Sequence, residues 1–136
     1  MGLDTAISSA VKWDAPTIEL EDSLRSAIKK MIATKTSVLV VTSGDDIIGV
    51  VTNMDLIRCL ARGDDFDQAT VANFMSSCGI ITTRKITTAC IQLDETKSVQ
   101  EAIGLMDLAG VHHLLVAGAQ GVGIISIQDL LRLAID

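Results

Sequence analysis

The chain has 136 residues, 49% of them hydrophobic, a formal net charge of −6, no Tyr, two Phe and one Trp. That charge excludes a general nucleic-acid surface, which needs clustered Lys and Arg, and the scarcity of aromatic rings excludes a base-stacking platform. Mean hydropathy is high at +0.44, yet no apolar run approaches the about 20 residues of a membrane helix, so the apolar content belongs to strands covered on both faces.

From the N-terminus, "MGLDTAISSAVKWD" has an early acid and no long apolar core. It is not a secretory signal, and a cytoplasmic location is expected. Residues 1–16 form an extension, expected as a helix anchored by Trp13. A short strand, Thr17 to Leu20, precedes a helix on which Leu24, Ala27, Ile28, Met31 and Ile32 recur at helical spacing. Val38 to Val41 is a strand, "TSGDD" a tight turn and Ile47 to Val51 the returning arm of a hairpin. Leu56 to Ala61 closes the unit as a second helix, so residues 17–62 read β-α-β-β-α.

Residues 63–89 link this unit to the next. The charged "RGDDFDQ" (Arg62 to Gln68) leads into "TVANFM", and Ser76 to Cys90 follows. Thr82, Thr83, Thr87 and Thr88 with their Ile neighbours suggest an extra extended stretch or an ordered loop, and Arg84 with Lys85 reads as a solvated turn.

The same order then returns over residues 90–136. Cys90 to Leu93 is a strand; Val99, Ala102, Ile103 and Met106 lie at helical spacing behind a capping box, Ser98-Val99-Gln100-Glu101. Leu114 to Val116, the turn "GAQG" and Val122 to Ile125 make the hairpin, and Leu130 to Ile135 the last helix. "GVVTNMDLIR" from Gly49 aligns with "GIISIQDLLR" from Gly123 at an offset of 74 residues, while Ala27 and Met31 align with Ala102 and Met106 at 75. Upstream of the hairpins Val38 to Val41 aligns with Leu114 to Ala117 at 76, which pairs Ser37 with His113. Two copies of about 40 residues are each marginal alone and are expected to pack as one module. Three cysteines, Cys59, Cys78 and Cys90, lack zinc-like spacing.

Two β-α-β-β-α copies, each carrying Gly-h-h-Thr/Ser-x-x-Asp-h-h (h apolar), resemble a tandem pair of CBS domains, the Bateman module; "TVANFMSS" is similar to the stretch that introduces the second repeat. The likeness runs from Thr17 to the C-terminus, and the proline usual before the second repeat is missing. The resemblance implies an α/β (α+β) fold of two pseudo-symmetric repeats. It also implies a non-catalytic regulatory sensor that binds an adenosine-containing ligand in the cleft between the repeats and shifts their relative angle. No cofactor is required; AMP, ADP, ATP or S-adenosylmethionine is the candidate ligand. A homodimer is expected, built on second-helix faces that carry Leu56, Ile57, Leu60, Leu130, Leu131 and Leu133, with an effector protein as listener and neither nucleic acid nor membrane as partner. The alternative is a ligand-free pair that serves oligomerisation or protein docking.

The repeated Thr52-x-x-Asp55 and Ser126-x-x-Asp129 admit two readings. Each is a good helix start, with a hydroxyl at the N-cap and a carboxylate at N3. The same geometry suits a ligand, because free amides at a helix N-terminus attract phosphate and a carboxylate accepts two hydrogen bonds from a ribose diol. By resemblance Asp55 and Asp129 are the ribose carboxylates and Thr52 and Ser126 the phosphate-side hydroxyls. Val51 and Ile125 flank the adenine, and Thr17 and Ile18 complete the candidate set. His112 and His113 precede the strand Leu114 to Val116, where the family often has a basic residue facing phosphate. Protonation of His113 near its ordinary pKa of about 6.5 then tightens phosphate binding. Zinc is disfavoured, since neighbours on a strand point to opposite faces. No nucleophile triad, P-loop or GxGxxG motif suggests an enzyme.

Overall fold

Strands and helices form where the apolar pattern demands them, and their boundaries follow from capping. Helix α1 (Leu24–Thr34) starts at Ser23, whose hydroxyl accepts from the Ser26 amide, and stops at Lys35, which adopts the left-handed conformation. Helix α2 (Asn53–Arg62) starts at Thr52 and ends at Gly63, left-handed at φ 76°, a conformation glycine adopts without a Cβ clash. The computed structural model describes residues 2–44, 46–77, 92–119 and 121–136. The chain divides into two units, Pro16–Cys78 and Met1–Ala15 with Gly79–Asp136.

In the first unit β1 (Thr17–Glu19) runs parallel to β2 (Val38–Ser43), which pairs antiparallel with β3 (Asp46–Thr52). A short helix, α3 (Val71–Phe74), brings in a fourth strand, β4 (Ser76–Ser77), antiparallel to Gly49 and Val50 of β3. The expected three-stranded sheet is thus extended by the start of the linker. The remainder of that segment, with Cys78, Arg84, Lys85 and Cys90, lies outside the described residues. On the helix side of the sheet Leu24, Leu39, Val41, Val51, Cys59 and Val71 are buried together. Burial also raises the pKa of the Cys59 thiol, which keeps it unreactive.

The second unit repeats the plan. Strand β5 (Gln92–Asp94) is parallel to β6 (His113–Gly118), which is antiparallel to β7 (Gly121–Ser126). Helices α4 (Val99–Ala109) and α5 (Ile127–Ile135) cover the sheet over a core of Val99, Leu114, Val116, Ile125 and Leu130. The Ser98 hydroxyl accepts from the Glu101 amide at 3.1 Å, but the Glu101 carboxylate pairs with Lys97 at 3.6 Å, so only half of the expected capping box forms.

The N-terminal extension is not the expected long helix. It makes two 3-10 turns, Gly2–Asp4 and Ile7–Ala10, because its backbone groups bond elsewhere: Ile7 to Lys97, Thr5 to Val99, and Lys12 to Ile124 in both directions. Its anchors in the second core are Ile7, fully buried, and Val11, with Trp13 partly buried beside them. Gly123 makes room, since a Cβ there would stand 2.8 Å from the Lys12 carbonyl oxygen and collide with Val11. No described helix is long and apolar enough to cross a membrane.

Candidate functional site

Each hairpin ends in a residue that is at once the last of a strand and the N-cap of a helix, and this junction builds both candidate sites. In the first repeat the Thr52 amide and hydroxyl donate to Asp55 Oδ2 at 2.8 and 3.1 Å, and the Asp55 amide donates back to Thr52 Oγ1 at 3.3 Å. In the second the Ser126 amide and hydroxyl donate to Asp129 Oδ2 at 3.0 and 2.8 Å, with the Asp129 amide returning a bond of 3.3 Å. Both are complete capping boxes. Both carboxylates are buried, Asp55 at 6% exposure and Asp129 at 8%.

The second oxygen distinguishes them. Asp55 Oδ1 receives Arg58 at 3.4 Å and Ser76 at 3.3 Å, and the Ser76 hydroxyl lies equally close to Oδ2. A carboxylate offers about four acceptor positions, and at Asp55 side chains and backbone of its own repeat occupy them. Of the described residues, Asp129 Oδ1 meets only the exposed Arg132 guanidinium, at 3.7 Å. Among the described residues every buried side-chain nitrogen or oxygen has a hydrogen-bond partner, so this oxygen retains a solvent-facing edge. One oxygen of Asp129 holds the helix start and the other is open to a donor from outside.

The strand register places the histidines. His113 sits in β6 directly across from Ser126, whereas Val38 occupies that place across from Thr52. The counterpart of His113 is therefore Val38. Ser37 matches His112 instead, as their carbonyls accept from the amides of Asn53 and Ile127, both at 3.0 Å. An extra residue in the first hairpin, taken up by a register shift between Val41 and Thr42, accounts for the change from an offset of 75 to 74. Side chains across an antiparallel pair share a face, which sets the His113 imidazole beside Ser126. Burial lowers the His113 pKa, the neighbouring His112 lowers it further and Asp129 opposes both. Proton uptake in the free protein thus falls below the ordinary histidine range.

Other candidates are placed differently. Ile18, Val51 and Ile125 are buried in the cores, at 2%, 0% and 0% exposure, and present no free surface. Thr17 is exposed on β1, opposite Val40. His112 is exposed and lines a groove of about 600 Å³ between α4 and α5 that sequence reading did not anticipate. Its signal was the pair Gly104 and Gly110, where the first repeat has Lys29 and Lys35. Of the apolar residues assigned to the dimer face, Leu56 and Leu130 are core, and Ile57, Leu60 and Leu131 remain exposed. Among the described residues no group of three or more His, Cys, Asp or Glu is placed to hold a metal ion.

Comparison with known proteins agrees with the fold. A family model for the CBS domain matches residues 7–62 and 80–136. A solved structure from Pyrococcus horikoshii, of an uncharacterised conserved protein, superposes with a TM-score of 0.79 at 21% identity, covering 100% of this chain and 96% of that one. A protein with CBS domains from Burkholderia ambifaria gives 0.77 at 26% identity over 95% and 90% of the two chains. A CBS domain pair in complex with 5′-methylthioadenosine and S-adenosyl-L-methionine gives 0.75 at 20% identity over 95% and 98%. An uncharacterised protein of Methanopyrus kandleri is 29% identical over 99 residues, 71% of this chain, and the chain spans 45% of that relative's length.

Proposed function

Because the chain belongs to the CBS-domain family, we propose that it is a non-catalytic regulatory module whose second repeat takes an adenosine-containing ligand at the N-terminus of α5. The observation that carries this reading is the divided Asp129 carboxylate: Oδ2 caps the helix while Oδ1 stays open, as a ribose hydroxyl requires. The Ser126 hydroxyl and the His113 imidazole lie on the same side and suit a phosphate or a carboxylate of the ligand. A CBS pair of the same fold holds 5′-methylthioadenosine and S-adenosyl-L-methionine, which supports the adenosyl class. AMP, ADP, ATP and S-adenosylmethionine are the candidates. The module works as a cytoplasmic homodimer and reports to another protein.

A thermal-shift panel of these ligands on the wild type, Asp129→Ala and Asp55→Ala tests the reading. A ligand at a hundred times its dissociation constant adds about 2.7 kcal/mol. The expected result is a shift in the wild type and Asp55→Ala that is absent in Asp129→Ala. A shift that survives in Asp129→Ala refutes the assignment of the site. A second reading, a ligand-free docking or oligomerisation module, is favoured by the completeness of both capping boxes, which need no ligand. No shift from any ligand would select it.

A further inference from the structure

The two aspartate junctions differ in the chain segment laid beside them. In the first repeat it is the linker: the Val71 amide bonds to the Asp22 carbonyl, the Leu24 amide to that of Ala69, and β4 sets Ser76 against Val50. The second repeat receives the N-terminal segment in the same way. The Ile7 amide bonds to Lys97, the Val99 amide to Thr5, and Lys12 lies against Ile124. Thr5, Ile7 and Lys12 therefore stand where Ala69, Val71 and Ser76 stand, each pair 64 residues apart. The glycines agree, since a Cβ at Gly49 would meet the Ser76 carbonyl oxygen at 2.6 Å and one at Gly123 that of Lys12 at 2.8 Å.

This exchange changes the chemistry beside the carboxylate. The Ser76 hydroxyl donates to both oxygens of Asp55 at 3.3 Å. Lys12 brings an ammonium instead. Side chains alternate along a strand and share a face across a pair, so Lys12 lies on the face of Ile124, together with Ser126 and, across from it, His113. Its neighbours Val11 and Trp13 turn the other way, into the second core. The Lys12 charge reaches the His113 imidazole and helps to lower its pKa. Lys12 is nevertheless exposed, and among the described residues its ammonium forms no ion pair, with Asp129 or any other acid. Arg58 and Arg132 offset the two aspartates alike. The second junction is left with a surplus cation, where the first has Ser76 and Val38 in the places of Lys12 and His113.

We propose that Lys12 sets the specificity of the second-repeat site: its ammonium, with Ser126 and His113 on the same face, takes the phosphate of a 5′-phosphorylated adenosine whose ribose Asp129 holds. A cation with no acid of its own is available to an anion, and a phosphate accepts charge-assisted hydrogen bonds from it. 5′-Methylthioadenosine carries no charge and S-adenosylmethionine carries a sulfonium, so both forgo this contact. The assignment rests on the ligand site proposed above, adds which class of adenosine it takes, and makes the N-terminal segment part of that site.

Isothermal titration calorimetry of the full chain at low salt tests it, with AMP, adenosine and S-adenosylmethionine on the wild type, Lys12→Gln, Lys12→Arg and Asp129→Ala. Lys12 holds Ile124 through main-chain bonds that any of these side chains permits, and urea midpoints confirm folding. The wild type should bind AMP about tenfold more tightly than adenosine or S-adenosylmethionine. Lys12→Gln should abolish that margin by raising the AMP dissociation constant about tenfold while leaving that of adenosine unchanged, and Lys12→Arg should keep it. Asp129→Ala should weaken AMP and adenosine together. A Lys12→Gln variant that weakens AMP and adenosine equally, or neither, overturns the role of Lys12 and leaves the adenosine site standing, as does a wild type that prefers S-adenosylmethionine. A wild type that binds none of the three, or binding that survives in Asp129→Ala, overturns the site itself, and this inference with it.

Discussion

Replacing Asp129 by Ala separates what the carboxylate does for the helix from what it would do for the proposed ligand. In the folded protein Asp129 Oδ2 accepts from the Ser126 amide at 3.0 Å and the Ser126 hydroxyl at 2.8 Å. Hydrogen bonds to a charged acceptor contribute about 1.5–3 kcal/mol, and a carboxylate in the first helical turn about 0.3–1 kcal/mol more. Ala returns about 0.5 kcal/mol through its better helix propensity, and the Ser126 amide finds water in part, so the net loss is about 2 kcal/mol. Urea unfolding followed by tryptophan fluorescence reads it directly, because Trp13 is the single tryptophan of the chain and packs on the second core. The midpoint should fall by that amount divided by the urea slope, with the slope unchanged. Ser126→Ala, which keeps the carboxylate as acceptor for the amide, should cost about 1 kcal/mol. An Asp129→Ala midpoint equal to the wild type would refute the reasoning, since it would mean the capping box contributes nothing.

The His113 pKa is lowered by burial, so between that value and about 6.5 the unfolded chain binds more protons than the folded one. Stability is therefore full above about pH 6.5 and declines as pH falls through the folded pKa; His113→Gln should flatten that part of a plot of urea midpoint against pH. Gly123→Ala should cost more than about 2 kcal/mol, because the new Cβ meets the Lys12 carbonyl oxygen and Val11, and Trp13 emission should move to the red as the N-terminal segment detaches. An unaltered emission spectrum would contradict that packing. Leu130→Ala empties a fully buried position and should cost about 2–5 kcal/mol, whereas Leu131→Ala, at 52% exposure, should leave the fold within about 0.5 kcal/mol. Chemical denaturation of both variants under dilute conditions checks the contrast.

Local chemistry made much of this protein legible before any coordinates. Thr52, Ser98 and Ser126 precede helical spacing and do start helices, because N-capping is decided within a few residues. The duplication was legible because each repeat must bury the same face of the same sheet. The finer alignment was not. Ser37 was matched with His113 because one added residue in the first hairpin can be placed at several points in sequence, and only the ladder pairs Val38 with Thr52 and His113 with Ser126.

The sequence by itself determined the β-α-β-β-α order, the two helix-capping aspartates and the absence of a membrane-length apolar run, all of which depend on spacing and neighbours. Tertiary structure alone decided the rest. It drew residues 2–15 onto the second repeat, where backbone bonds to Lys97, Val99 and Ile124 prevent the helix their sequence allows. It brought Ser76 to Asp55, 21 residues away, and left Asp129 with an open oxygen. Two motifs alike in sequence acquired different surroundings, because a carboxylate's free valence depends on what the fold packs beside it.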